Sequence, residues 1–144
     1  MTRAILAGII ATIVLSLLLI AQTYFGVLPE FQLIAEWQKL LASVGLPSDP
    51  AWAWVANSLV GAVFYGIVFA ALEPILPGSG LSEGLAFGVI AWLVMMLVFM
   101  PLAGYGFFAV VLGAPVIFGT LAVHLVYGAA IGIAYKLLSE EDQW

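Results

Sequence analysis

The polar side chains that interrupt the apolar stretches of this sequence are the residues that could support chemistry. Gln22, Asn57 and His124 lie within or at the ends of such stretches, Tyr127 follows three residues after His124, and His124 is the only histidine. Amide, imidazole and phenol groups can hydrogen-bond a neutral ligand, or can bond one another between helices. Because a polar group inside an apolar helix usually faces a partner or a cavity, these four residues are candidates either for binding a ligand or partner or for structural hydrogen bonds.

Other chemistries lack the residues that they need. The sequence has no cysteine, which removes thiol catalysis, disulfides and iron–sulfur ligation. No serine with a neighbouring base, phosphate-binding loop or pair of acidic metal ligands can be assembled, and a single histidine cannot complete a zinc site. We therefore predict no enzyme activity, no metal site and no intrinsic cofactor. A haem, pigment or quinone held by His124 together with a neighbouring subunit stays an open alternative.

The composition places these residues in a membrane. Charged residues make up 8% of the 144 residues and the mean hydropathy is +1.23, whereas soluble domains carry about 25% charged residues. Four apolar stretches are long enough to cross a bilayer, at about 4–25, 51–72, 83–100 and 116–137. We predict one all-α domain over 1–144, a four-helix bundle embedded in the lipid bilayer. The net charge of −5 offers no basic surface, which excludes nucleic acid as a partner.

Small residues recur at helical spacing within these spans. In the last span Thr120, His124, Gly128 and Gly132 follow one another at steps of four, so they form one ridge of a helix and direct His124 toward protein. Membrane helices pack closely where small residues let their backbones approach. The glycines that we assign to such contacts are Gly8, Gly61, Gly66, Gly88, Gly128 and Gly132.

The two halves of the chain share part of this pattern. A shift of 80 residues places Gly8 on Gly88, and a shift of 67 residues places Gly61 on Gly128 and Asn57 on His124. These matches indicate two similar helical hairpins related by an axis along the membrane normal. The first hairpin would carry an insertion at 29–43.

That insertion is amphipathic. Trp37 and several leucines cover one face of 29–43, and the other face carries polar residues at helical spacing, namely Gln32, Glu36, Lys39 and Ser43. The pattern predicts a helix that begins near Pro29. It either lies on the membrane surface or packs across the mouth of the bundle, and both alternatives stay open.

Two further connections carry turn signals. Asp49 followed by Pro50 predicts the start of the second span, with the carboxylate as the helix cap. The glycine-rich segment 102–115 fits a re-entrant or surface-lying loop, or an early extension of the last helix.

The few charges predict the orientation. Four spans place both termini on one side together with Arg3 and Lys136, and they place Lys39 on the other side. The positive-inside rule then predicts cytoplasmic termini, and we expect a multi-pass protein of a prokaryotic plasma (inner) membrane. Asn57 and His124 lie a similar number of residues inside the opposite end of the bundle, about 10–12 Å deep, where they can form one polar cluster.

Two motifs resemble a known group of proteins. They are Pro101-Leu-Ala-Gly104-Tyr-Gly106-Phe-Phe108 and His124-Leu-Val-Tyr127-Gly128, the latter followed by Gly132. This part of the sequence resembles a family of small four-span prokaryotic membrane proteins of unknown function. The resemblance implies an architecture but no activity, and His124, Gly128 and Gly104 match its pattern.

These observations lead to two expectations about function. The first is an auxiliary, structural subunit of a larger membrane complex, such as a respiratory or photosynthetic one, packed against other subunits through small-residue helix faces. The alternative is a homo-oligomeric transporter or channel for a small neutral or weakly charged solute, with Gln22, Asn57 and His124 as its site.

Overall fold

The computed structural model describes residues 2–140, and over this range the chain forms helices and no strands. The helices are α1 (Thr2–Tyr24), α2 (Leu33–Ser43), α3 (Pro50–Ile75), α4 (Leu81–Leu102) and α5 (Ala114–Glu140). All but α2 are long and apolar enough to cross a membrane. The predicted fold class is confirmed, and the chain is a multi-pass membrane protein. We call the end of the bundle that carries α2 the α2 end, and the opposite end the terminal end.

Helix α5 holds the bundle together. It packs against both α1 and α4 along much of its length, and α1 also packs against α3, whereas α3 and α4 are not closely packed. Glycine permits these contacts, because a Cβ on Gly88 would lie 2.5 Å from the carbonyl oxygen of His124. The other glycines predicted to pack are also opposed by atoms of a neighbouring helix, namely Gly8, Gly61, Gly66, Gly128 and Gly132.

Helix α2 differs from its prediction in two respects. It begins at Leu33 and not near Pro29, because residues 28–31 form a turn in which Leu28 has a φ of +53°. Glu36 was assigned to the polar face, but it is 3% exposed. The ring of Trp37 lies 5.2 Å from that of Phe99 in α4. Of the two alternatives for this helix, the structure therefore shows the one in which α2 packs across the mouth of the bundle.

The other two connections follow their turn signals. The Asp49 carboxylate accepts hydrogen bonds from the amides of Ala51 and Trp52, so the predicted cap of α3 is confirmed. Helix α4 continues one residue past Pro101, and α5 begins at Ala114. Between them lies a loop with a 3₁₀ helix, Phe107–Leu112, bounded by glycines at positive φ. The segment is therefore a loop and not an early extension of the last helix, whereas the choice between a re-entrant and a surface-lying loop stays a prediction.

The bundle is filled by two apolar clusters. One occupies the terminal half and contains the fully buried Phe69, Phe87 and Ile131. The other lies at the α2 end, where Met96 and Met100 of α4 pack with residues of the connections and of α5. Between these clusters the interior is not filled.

Candidate functional site

A cavity of about 420 Å³ occupies the α2 half of the bundle. All four polar residues selected from the sequence line it, namely Gln22, Asn57, His124 and Tyr127. They come from three different helices, so the fold brings them together. A volume of this size is typical of small-molecule sites, which range over about 300–1,000 Å³.

The walls of the cavity are otherwise mainly apolar. Its side chains include no Asp, Glu, Lys or Arg from residues 2–140. Helices α1, α3, α4 and α5 each contribute to the walls, and α2 and the turn before it form the roof. The roof residues are Leu28, Phe31, Leu33, Trp37 and Leu40. A charged group entering this space would find no counter-ion on the walls, so the site suits an uncharged occupant.

The orientation of His124 follows from its hydrogen bond. Its Nδ1 lies 2.8 Å from the carbonyl oxygen of Thr120, one turn earlier in α5. A carbonyl oxygen can only accept, so Nδ1 carries the proton, and in the neutral ring Nε2 is the acceptor. Within residues 2–140, Nε2 has no hydrogen-bond partner. His124 thus offers the cavity an unused acceptor.

Asn57 is a second cavity residue with an unpaired polar group. Its side chain is 5% exposed, and its Nδ2 has no hydrogen-bond partner in the described part of the chain. A buried donor without a partner costs about 1–3 kcal/mol, which is why such groups are rare in native structures and are often functional. The Asn57 amide is therefore buried without a structural partner, and its Nδ2 is not accessible from the cavity.

A third contact sets Asn57 and His124 at the same depth. The hydroxyl of Tyr127 donates to the carbonyl oxygen of Gly61 at 2.5 Å, which fixes the register between α5 and α3. Both helices run from the α2 end to the terminal end. Asn57 lies four residues before Gly61, and His124 lies three residues before Tyr127, so both are about one turn above this contact. Asn57 and His124 therefore lie at a similar depth in the bundle.

Two other polar residues of the cavity, Gln22 and Thr120, are engaged in structural bonds, whereas the hydroxyl of Tyr65, which also lines the cavity, has no hydrogen-bond partner among residues 2–140. The Gln22 Nε2 donates to the carbonyl oxygen of Phe31 at 3.0 Å and so ties α1 to the roof. The Thr120 hydroxyl donates to the backbone of α5 and accepts from the Trp92 indole nitrogen at 3.2 Å. Of the four residues selected from the sequence, Gln22 and Tyr127 thus use a polar group to hold the site together, and Asn57 and His124 keep one unused.

The cavity reaches the surface between α3 and α4. In the terminal half these helices touch through aromatic rings, with Tyr65 and Phe87 at 5.8 Å between centroids. Toward the α2 end they separate, and Phe64, Val94 and Val98 are exposed residues that also line the cavity. In a membrane, an opening between two spanning helices would face the acyl chains. We call it the α3–α4 portal.

Two π-helical segments border the portal. One is Leu59–Phe64 in α3 and the other is Met95–Phe99 in α4. A π segment inserts an extra residue into a helical turn and is frequent at functional sites. Neither segment contains a proline, and no sequence pattern predicted them.

The roof is anchored by a buried carboxylate that the sequence analysis missed. Oε1 of Glu36 accepts from the Tyr105 hydroxyl and from the Lys39 Nζ, each at 2.8 Å, whereas its Oε2 has no partner among residues 2–140. The hydrogen bond to Glu36 raises the pKa of Lys39. Burial, followed by the hydrogen bond to Glu36, raises the pKa of Tyr105. These contacts link α2 to the loop after α4.

Metal-ligating residues are not clustered in the described part of the chain. Within 2–140 no group of three His, Cys, Asp or Glu side chains lies close enough to hold a metal.

The comparisons with known proteins identify a family and no activity. A family model described as "Family of unknown function (DUF6789)" matches residues 1–144. No curated protein matches the chain, and no solved structure matches it.

Proposed function

The chain belongs to this family of unknown function, and we propose from the geometry of its cavity that it binds a lipid-soluble molecule with a small uncharged polar group. The observation that carries the proposal is a ligand-sized apolar cavity lined by the pair Asn57 and His124, in which His124 Nε2 has no hydrogen-bond partner among residues 2–140. Apolar pockets with a few convergent polar groups are the usual form of a ligand site. The apolar walls would hold the body of the molecule, and the pair would hold its polar group.

The position of the portal supports entry from the bilayer. It lies between α3 and α4, so a lipid-soluble molecule could enter sideways without crossing water. Below Tyr127 the bundle is filled by Phe69, Phe87 and Ile131, which are fully buried. A continuous pore through the bundle would have to pass this cluster. The geometry therefore favours binding over the conduction of a solute.

Ligand extraction from the purified protein tests the proposal. The protein would be purified in mild detergent, extracted with organic solvent and analysed by mass spectrometry for enriched lipophiles. Val123→Trp would fill the cavity, since Val123 lines it, whereas Val126→Trp would project from the exposed face of the same helix. We expect one class of molecule to be enriched with the wild type and with Val126→Trp, and to be lost with Val123→Trp. Equal lipid content in all three proteins would refute the proposal.

The orientation is a further part of the proposal. We place the termini in the cytoplasm of a prokaryotic plasma membrane, because Arg3 and Lys136 lie at the terminal end and Lys39 at the α2 end. The cavity would then open to the outer leaflet. Single cysteines at Lys39 and Ser139 should react with an impermeant reagent from opposite sides of the membrane. Labelling of both from one side would contradict the orientation.

An accessory role in a larger membrane complex is the second candidate. A groove of about 290 Å³ on the outside of α1 and α3 favours it, because small side chains form its base and could admit a transmembrane helix of a partner subunit. Its small residues are Thr12, Ser16, Ser58 and Ala62. On a native gel of gently solubilised membranes the protein should then migrate with a larger complex. Migration only as a monomer or a simple homo-oligomer would argue against this role.

A further inference from the structure

The α3–α4 portal is bordered by one bulky side chain. Three exposed residues that also line the cavity lie at this opening, Phe64 of α3 and Val94 and Val98 of α4, and Phe64 is the largest of them. We propose that Phe64 selects by width the molecules that pass the portal, and that the π segment Leu59–Phe64 places it there. The inference rests on the proposed function, because it assigns the residue that controls access to the same site.

The extra residue of α3 lies next to Phe64. The buried residues Asn57, Gly61 and Gly66 follow one another at steps of four and then five. Both glycines face α1. A Cβ on Gly61 would lie 2.5 Å from Thr12 Oγ1, and a Cβ on Gly66 would lie 2.6 Å from the carbonyl oxygen of Ala4. Residues five apart share a face only where a turn is widened, so the extra residue lies between the two glycines.

The backbone shows how this turn is widened. The Tyr65 amide donates to the carbonyl oxygen of Val60, five residues earlier, whereas a regular α-helix would pair it with Gly61. The Gly61 carbonyl accepts from the Tyr127 hydroxyl of α5, which ties the widened turn to a neighbouring helix. Within this turn Phe64 lines the cavity, and Val63 directly before it does not. The widened turn therefore brings Phe64 to the portal.

The tightly packed helices of the bundle lack such turns. Within residues 2–140 the π segments lie in α3 and α4, the two helices that border the portal. Helices α1 and α5 are regular over their described residues, and they pack against each other along much of their length. The location of the π segments thus coincides with the opening, as expected for elements that shape it.

Access to the cavity can be measured without knowing its ligand. The chain contains no cysteine, so a single cysteine at Val123 reports entry into the cavity that Val123 lines. A cysteine at Val126, on the exposed face of α5, is the reference. Membranes that contain the full chain would be treated with N-ethylmaleimide or with the wider N-(1-pyrenyl)maleimide, and alkylation would be followed by mass spectrometry. The rate at Val123→Cys divided by the rate at Val126→Cys measures access.

Substitutions at the rim and in the roof test the role of Phe64. Phe64→Ala should raise the access of the pyrenyl reagent by about two- to tenfold, because moving an aromatic ring off its preferred rotamer costs about 0.5–1.5 kcal/mol. Access of the narrower reagent should rise less. The matched control Phe118→Ala removes an exposed ring of α5 that does not line the cavity, so it should change neither ratio. If Trp37→Ala in the roof raises access and Phe64→Ala does not, entry occurs through the roof and the proposal is overturned.

Deleting Val63 tests the role of the π segment. The deletion removes a residue outside the cavity and makes the Tyr65–Val60 bond an ordinary α-helical one, so the protein should retain a cooperative thermal transition. Phe64 would then follow Ala62 directly and take the lipid-facing position that Val63 has now, so access should rise as in Phe64→Ala. Deleting Ile10 from the regular helix α1 is the control, because it rotates the rest of that helix by about 100° and should destabilise the bundle. Unchanged access after the Val63 deletion, or destabilisation equal to that of the Ile10 deletion, would show that the π segment does not position Phe64.

The outcomes separate this inference from the proposed function. Unchanged access of both reagents in Phe64→Ala overturns the inference, and ligand binding is then judged by the extraction experiment alone. If Phe64→Ala raises access but no lipophile is enriched with the wild type, the proposed function fails and the assignment of the portal stands.

Discussion

Replacing Asn57 with leucine should stabilise the empty protein while weakening its ligand binding. Asn57 is 5% exposed, and its Nδ2 has no partner within residues 2–140. An unpaired buried donor costs about 1–3 kcal/mol, and leucine is similar in size without a polar atom. The free energy of unfolding of the ligand-free protein should therefore rise by about 1 kcal/mol, the lower end of this range, because hydrogen-bond energies between membrane helices average about 0.6 kcal/mol.

Gln22→Leu is the matched control. It removes the same type of side chain from the wall of the same cavity, but its Nε2 donates to the carbonyl oxygen of Phe31 at 3.0 Å. This substitution should lower the free energy of unfolding by about 1 kcal/mol, because it removes a bond that ties α1 to the roof. The two amide-to-leucine changes are thus expected to have opposite signs.

Unfolding of delipidated protein in mixed micelles, followed by circular dichroism during titration with a denaturing detergent, measures both effects. The same titration with the lipophile identified by extraction should show a smaller ligand-induced stabilisation for Asn57→Leu than for the wild type. If Asn57→Leu destabilises the empty protein as much as Gln22→Leu does, then the Asn57 amide has a structural partner. The reasoning that makes Asn57 an unpaired buried amide would then be wrong.

Three further predictions concern the roof and the helix contacts. Tyr105→Phe removes one donor from the buried Glu36 carboxylate, so it should lower the free energy of unfolding by about 1.5–3 kcal/mol. It should also speed hydrogen exchange of the α2 amides. Unchanged exchange would show that apolar contacts alone hold the roof. The pKa values of Tyr105 and Lys39 are both raised above their ordinary 10.0 and 10.5, so these groups hold their protons more tightly in the folded protein. The stability that they contribute to the fold should be complete below pH 10 and should decline as the pH rises beyond these values. We expect a smaller decline in Tyr105→Phe. Gly128→Val would force α5 away from α4 and should lower the free energy of unfolding by at least about 2 kcal/mol. The control Ala122→Val, on the exposed face of α5, should change it by less than about 0.5 kcal/mol. Equal effects of the two substitutions in a thermal unfolding assay would contradict the close packing.

The features that depend on one helix at a time could be predicted from the sequence. Four apolar stretches gave four spans, because the length of an apolar run alone decides whether it can cross a bilayer. Asp49 followed by Pro50 gave the cap of α3 for a similar local reason. The steps of four in the last span also placed His124 toward protein, where it lines the cavity. Whether His124 binds a ligand stays a prediction.

The features that depend on two distant segments could not be predicted. Glu36 has the spacing of a solvated polar face, and its burial follows from Tyr105, which lies 69 residues away. The π segments depend on how α3 and α4 accommodate their neighbours, and no residue type marks them. The cavity itself is a space between helices, so periodicity within each helix carries no information about it.

The internal repeat offers a physical reason why the cavity lies where it does. Under the predicted repeat, α1 corresponds to α4 and α3 corresponds to α5, so the closely packed α1–α5 contact has α4–α3 as its counterpart. In the structure α1 packs closely against α5, whereas α3 and α4 leave an opening toward the α2 end. Within each hairpin the glycine contacts are retained, with Gly8 against Ala62 and Gly88 against Gly128. The helices within each hairpin, α1 with α3 and α4 with α5, are therefore packed together. The opening lies between the two hairpins, where α3 meets α4. The residues paired by the predicted repeat, Asn57 and His124, both line the cavity behind this opening. Under this repeat, the bundle gains its cavity by leaving one of two equivalent contacts unfilled, and Asn57 and His124 lie at equivalent positions on the cavity walls.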